Sequence, residues 1–372
     1  MPGPPQTSEP STAETDWPAL LYDSARTGGQ GIRPARAPDH VRWHVRMGGS
    51  VRSAPVLRSG VLYVTSMAGN LHAIDIEKGR QKWQFQAADH IHSTPSLSAN
   101  KVLFGCDSGK VYAVDRDSGK PAWETAAAAE VWTSPVIRHG VAFFGSADAR
   151  MYAVEVDTGR KRWTQELGGR IYSTAWVGDD HLYLGCGDGK AYCLEVSSGR
   201  TVWSTATGDG IDSSPAVAGD TVLIGSEDFF FYALDAATGA VRWKYETGLG
   251  ISSSPAVFED LAVVGSKDGF LYAFEIQTGR LRWKVQASDV VTAPPVIANG
   301  LICIQAGGTQ AFDIATGSVA WRAGLGGSVQ SAPVLRCAID SAHGSYAAIR
   351  AAASGVNKVA TSSGWTTDCA SR

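Results

Sequence analysis

Tryptophans at 43, 83, 123, 163, 203, 243 and 283 follow one another at intervals of 40 residues. A glycine stands four residues before each of them from Trp83 onward, and a carboxylate stands eight before. These two observations, with a proline recurring at 55, 95, 135, 215, 255, 295 and 333, predict an all-β propeller of four-stranded blades.

The register holds in several residue types at once. The glycines are Gly79, Gly119, Gly159, Gly199, Gly239, Gly279 and Gly317, the last belonging to Trp321 after a gap of 38. The carboxylates are Asp75, Asp115, Glu155, Glu195, Asp235, Glu275 and Asp313, and the proline position lapses once, at Ala175. One unit, Ser213 to Trp243, shows how each element is read. Ser-Ser-Pro-Ala-Val opens an inner strand, Gly219-Asp220 turns it, Thr221 to Ser226 returns, and Glu227-Asp228 begins the next turn. Phe231 to Ala236 forms a third strand, Thr238-Gly239 makes a hairpin, and the fourth strand carries Trp243. Glycine suits the hairpin because it takes positive φ freely, and the preceding carboxylate is placed to accept the turn's backbone N–H groups. The third strand reads Leu-Tyr-Ala-Phe in one copy and Phe-Tyr-Ala-Leu in another, apolar on both faces, as a sheet between two neighbours requires.

The segments AVDRDSGKPAW, AVEVDTGRKRW, ALDAATGAVRW and AFEIQTGRLRW resemble the tryptophan-docking motif of pyrroloquinoline-quinone-type (PQQ-like) propellers. The opening Trp17-Pro18, with Asp23 and Arg26-Thr27-Gly28, is similar to the lead-in of many bacterial members. The resemblance implies that Trp43, Trp83, Trp123, Trp163, Trp203, Trp243, Trp283 and Trp321 pack between adjacent blades and lock them together. It covers residues 16–335, which are expected to form the propeller. Residues 1–15, rich in proline, are expected to be a disordered leader, and 336–372 a divergent or disordered tail.

Residues 51–321 supply seven complete units. Trp43 lies on an eighth outer strand, and Ser331-Ala332-Pro333-Val334 begins an eighth inner strand, so the ring is expected to close by joining both ends in one split blade. After Leu335 the pattern stops. The stretch Arg336 to Arg372 is read either as a divergent closure or as a shift of reading frame, with no regular second and third strands and an incomplete eighth blade.

Composition narrows the function classes. The formal net charge of −3 gives no electrostatic reason to expect nucleic acid or an anionic membrane. No apolar run is long enough to span a membrane. The first residues lack the features of an export signal, so the sequence as it stands is expected to be cytoplasmic, or periplasmic or secreted if such a signal has been removed. A monomer is expected. The six cysteines, at 106, 186, 193, 303, 337 and 369, form no paired metal motif, and those at 106, 186 and 193 read as small core residues.

Function is sought where equivalent positions vary. Three residues before the proline position the repeats carry Arg52, His92, Trp132, Tyr172, Asp212, Ser252, Thr292 and Gln330, flanked by monotonous Ser, Thr and Ala. This position opens the innermost strand, where the family lines its central funnel. A cation, an imidazole, two aromatics and a carboxylate around one axis would suit a ligand or partner, while a solvated channel mouth tolerates any residue. The resemblance offers two functions. One is a quinone- and Ca2+-dependent dehydrogenase, whose relatives hold the cation by a carboxylate and an amide, use an aspartate base, and commonly place a vicinal cysteine pair over the cofactor. Here adjacent cysteines are absent, Asp212 is the one carboxylate of the ring, and the unbroken spacing leaves no roofing insertions. The other is a non-catalytic scaffold or sensor, as in the BamB-like branch, binding a protein partner or small ligand through the funnel or rim. That second reading is the expectation: no enzyme, no cofactor and no metal. The basic residues after the hairpin glycines (Arg80, Lys120, Arg160, Arg200, Arg280) are read as solubilising charges.

Overall fold

The computed structural model describes residues 41–298 and 300–323, together with the backbone of Val334–Ala338, Ser345–Ala351 and Lys358–Ser362. The leader at 1–15, the lead-in that follows it and Gln330 lie outside the described residues. The strands form eight four-stranded antiparallel sheets. Seven are uninterrupted meanders at 56–86, 96–126, 136–166, 176–206, 216–246, 256–286 and 296–323, the seven blades expected.

The eighth sheet corrects the expectation for the tail. Its order is Val41–Arg46, Lys358–Ser362, Ser345–Ala351, Val334–Ala338, with pairs such as Val45↔Val359, Arg350↔Ala360 and Val334↔Ile349. Regular second and third strands therefore exist after Arg336. Ladder pairing uses backbone groups, and the first and last strands of a split blade would otherwise present open edges, so a segment with little side-chain alternation still completes the sheet.

Within each blade the burial follows position in the ring. In the fifth, Thr221–Gly225 is buried throughout, Phe230–Asp235 is buried except at its ends, and the outer strand Val241–Glu246 alternates toward solvent. A sheet covered on both faces needs continuous apolar strands at its centre, and only the outermost strand reverts to alternation. A β-bulge precedes the docking tryptophan: Trp203 faces Cys193, yet Thr201 faces Leu194, which leaves Val202 as the extra residue. The same shift recurs from Ala73/Ile74 to Ala311/Phe312. Cys193, read from the sequence as a small residue of a packed strand, thus stands opposite the tryptophan. Burial pushes both its thiol and that of Cys186 up to about 12, which keeps them inert.

Each bulge delivers its tryptophan to the next blade. The Trp203 indole N–H donates to the Ala236 carbonyl at 3.0 Å, and those of Trp83, Trp123, Trp163 and Trp243 donate to Arg116, Val156, Val196 and Ile276 at 3.1, 2.8, 2.9 and 2.7 Å. Trp43 in the closing blade donates to Ile76 at 2.8 Å, which ties the ring shut onto the first blade. Trp283 reaches Ile314 at 2.9 Å, whereas the Trp321 N–H has no partner among the described residues. The ring sits on the hairpin glycine of that next blade. Gly239 has φ +74°, and a Cβ there would stand 2.6 Å from Trp203 Cε3. The glycine therefore serves the preceding blade's tryptophan as well as its own turn.

The hairpin carboxylates divide by side-chain length. Asp75, Asp235 and Asp313 accept two backbone N–H groups each from the following turn, for example Ala237 and Thr238 onto Asp235 at 3.2 and 2.9 Å. The expectation of the same role for Glu155, Glu195 and Glu275 is corrected. Their longer side chains overshoot the turn and take the hydroxyls of Thr158, Ser198 and Thr278, with Arg160 and Arg280 pairing onto the first and last. Arg160 and Arg280 are thus partnered side chains and not free surface charges.

The monotonous Ser/Thr positions form a belt. Ala54 N–H donates to Thr94 Oγ1, Thr94 N–H to Ser134 Oγ, Ser134 N–H to Thr174 Oγ1, Thr174 N–H to Ser214 Oγ, and Ser214 N–H to Ser254 Oγ, all at 2.9–3.0 Å and all buried. Each blade's innermost backbone is thereby stitched to the next.

Two glycines in one blade separate the docking contact from backbone strain. Gly239→Ala should cost clearly more than Gly219→Ala, where φ is +59° and nothing lies within 4 Å of an added Cβ. The latter should lose about 1–2 kcal/mol from the left-handed backbone alone. Trp203→Ala should cost about 3–5 kcal/mol. Urea unfolding of the three variants checks the order, and equal losses for the two glycine variants would show that the tryptophan does not press on Gly239.

Candidate functional site

In a four-stranded meander, the loops leading into the first strand and the turns joining the second to the third lie at one end. The described variable positions, from Arg52 to Thr292, sit in those loops. The residue just before each is buried and β-branched: Val51, Ile91, Val131, Ile171, Ile211, Ile251 and Val291 are all at 0 % exposure. Ser53, Ser93, Thr133, Ser173, Ser213 and Ser253, just after, are buried as well. Extended backbone alternates its side chains, so the residue between, half-buried or exposed in every described blade, is turned away from that buried packing.

Three of these residues form a continuous stack. His92 lies over Trp132 with centroids 4.4 Å apart and planes at 25°, and Trp132 lies over Tyr172 at 4.6 Å and 17°. Arg170 caps the stack, its guanidinium carbon 5.2 Å from the centre of the Tyr172 ring. Arg52 is exposed, and its charge acts on His92 from the other side. Asp212 belongs to a polar group with Glu227, Asp209 and Lys267, which Arg170 links to the stack. Ser252 and Thr292 are half-buried at their expected places in the ring, and no described interaction joins them to the stack.

A second tier of the funnel escaped the sequence reading. The turns between second and third strands carry Met67, Asp107, Ala147, Gly187, Glu227 and Lys267 at equivalent positions. Each is held against its own blade's entry loop by a backbone bond, such as Asp107 N–H to His90 O at 2.9 Å and Glu227 N–H to Gly210 O at 3.0 Å. Asp107 accepts the Trp132 indole N–H on Oδ1 at 2.8 Å, while Oδ2 stands 3.6 Å from His92 Nε2. Lys267 pairs with Glu227 at 2.7 Å across neighbouring blades. The signal that marked the first tier, a varied residue in a constant register, was present here too, between the recurrent Ser/Cys at 66, 106, 146, 186, 226 and 266 and the turn that follows.

Electrostatics in the funnel follow burial. His92 titrates below the ordinary range because burial disfavours its charged form, although Asp107 opposes that shift. The Asp212 carboxyl is raised, first by burial and then by the like charge of Glu227, with Arg170 and Lys267 pulling the other way. On the opposite face a pocket of about 490 Å3 opens between the third and fourth blades. Its charges are spent on one another: Arg138 and His139 both bond Asp179, at 2.6 and 2.8 Å, and hold that carboxyl below its usual range.

A carboxyl raised in the folded state costs stability once it ionises, and that cost shrinks as pH falls below its folded pKa and is gone below its unfolded one. Asp212→Asn should therefore melt higher than the parent protein at neutral pH, with the difference closing as the solution is acidified. Melting temperature against pH for the two proteins measures this, and an equal or lower melting point for the variant at neutral pH would refute it.

Comparison with known proteins places this geometry. The sequence profile described as "Outer membrane protein assembly factor BamB" matches residues 27–205, 158–336 and 232–368. Comparison by sequence alone with curated proteins returns no significant match. Among solved structures, BamB from Moraxella catarrhalis superposes with a TM-score of 0.73 at 18 % identity, covering 88 % of this chain and 99 % of that one. Quinohemoprotein alcohol dehydrogenase from Comamonas testosteroni gives 0.79 at 14 % identity, covering 96 % and 82 %. A europium-containing methanol dehydrogenase gives 0.77 at 13 % identity, covering 90 % and 89 %. At such identities these likenesses are of fold, whereas the profile spans most of the repeats. The chain belongs to the BamB-like family of PQQ-type β-propeller repeat proteins.

Proposed function

We propose that this propeller is a non-catalytic platform that binds a protein partner on its funnel-side face. The observation that supports the reading most directly is Phe229. It has φ +77° and is 42 % exposed, at a turn position where other blades place Gly69, Gly109, Gly189 and Gly269. A bulky side chain in the left-handed region costs about 1–3 kcal/mol, and exposing a phenylalanine returns none of it in the free protein. Leu249, 46 % exposed, lies beside it, since the Thr247 hydroxyl bonds the carbonyls of both residues at 2.8 and 2.7 Å. An aromatic anchor and a leucine next to a charged funnel are the composition of a protein-recognition surface.

The quinone-dependent reading fits these residues poorly. A cation on the cofactor's carbonyls needs a carboxylate with an amide beside it, and the described ring positions hold Asp212 but no asparagine or glutamine. Burial and the neighbouring Glu227 moreover disfavour the charged form of Asp212. The tryptophan–tyrosine stack serves a partner's side chain as well as a flat cofactor.

Two measurements test the proposal. A photo-crosslinking residue at Phe229 should give discrete protein adducts in the native cell, and one at the outer-strand Val202 should give far fewer. Phe229→Gly should lose the partner while folding at least as stably, because glycine relieves the backbone. Full retention of the partner by that variant would defeat the assignment of this face. Reconstitution with pyrroloquinoline quinone and Ca2+ should yield no dye-linked alcohol oxidation, and turnover above a heat-killed control would establish the enzymatic reading instead.

A further inference from the structure

We infer that Asp89, His90, His92 and Asp107 form a site for a divalent transition cation such as Zn2+ at the funnel mouth of the second blade, where the sequence reading expects no metal. Donor atoms of Asp89, His90 and Asp107 all lie within 4.8 Å of one another. His90 Nδ1 is 3.1 Å from Asp89 Oδ1 and 3.8 Å from Asp107 Oδ2, and His92 Nε2 is 3.6 Å from that same Oδ2. Two donors each about 2.1 Å from a tetrahedral zinc stand about 3.4 Å apart, so these spacings bracket the edge of the coordination tetrahedron. Two imidazoles with two carboxylates are a borderline donor set, suited to zinc, nickel or copper, whereas Ca2+ and Mg2+ prefer oxygen throughout.

The donors are held before any ion arrives. The Trp132 indole N–H occupies Oδ1 of Asp107 at 2.8 Å and leaves Oδ2 facing the two histidines. The backbone bond from Asp107 N–H to His90 O, 2.9 Å, fixes the turn against the loop that carries both imidazoles. The stack on Trp132 sets the plane of His92. Such outer contacts orient ligands in established metal centres. Arg52 opposes a cation beside His92, but it is exposed and so screened by solvent and salt. Asp89 and His90, with side chains 44 % and 56 % exposed, leave the solvent side of the ion open to a donor from a docking partner.

Cobalt(II) reports this site directly, because four-coordinate cobalt absorbs visible light far more strongly than the hydrated ion. Titration of the full chain should show one saturable equivalent, displaced by Zn2+ and not by Ca2+. His90→Ala and His92→Ala should each weaken binding by about tenfold or more. His139→Ala, on the opposite face, should leave it unchanged. His90 is exposed, so its variant should keep the parent melting temperature and separates loss of the ion from loss of the fold. Absence of a saturable equivalent, unchanged affinity in either ligand variant, or displacement by Ca2+ as readily as by Zn2+ would overturn the site.

Discussion

The ring depends on one repeated contact, an indole that crosses from the outer strand of one blade to the hairpin of the next. Each tryptophan does two things there. From Trp43 to Trp243 its N–H satisfies a carbonyl 33 residues on, as Trp203 does for Ala236, and from Trp43 to Trp283 its face lies on a glycine that can carry no Cβ. The bulge before the tryptophan and the small Ala or Cys opposite follow from the same need, since the ring must leave its own sheet to reach the next.

Near the axis the stitching changes character. Serine and threonine hydroxyls, buried and bonded 40 residues along, join the innermost backbones where side chains have little room. This belt uses the residues that follow each funnel position and leaves the funnel residue itself out of the stitching. That freedom is why Arg52, His92, Trp132, Tyr172 and Asp212 can differ from blade to blade while the fold stays constant. The second tier, from Asp107 to Lys267, is free for the same reason, its backbone already bonded to the entry loop.

Several features of the funnel-side face work against stability. Phe229 holds a conformation natural to glycine, and Asp212 keeps a carboxyl where burial and Glu227 disfavour its charge. Features that cost stability and serve no packing role mark recognition surfaces more reliably than the regular parts of a repeat. On the opposite face, Arg138, His139 and Asp179 answer one another and leave little for a ligand.

The 40-residue register by itself determined the propeller, the seven uninterrupted blades and the docking tryptophans, because a repeated unit writes each structural duty many times over. It also marked Cys193 as a small residue of a packed strand. Only the tertiary structure decided what passes between units. The hairpin glycine is required by the tryptophan of the preceding blade, a reason invisible within one repeat. Asp107 became a partner of both Trp132 and His92 only when the turn of one blade met the loops on either side. The closing strands Ser345–Ala351 and Lys358–Ser362 carry little side-chain pattern, and they pair because the split blade's edges supply unmatched backbone groups. Side-chain pattern is legible in a sequence, whereas backbone complementarity arises only when the ring brings the two ends of the chain together.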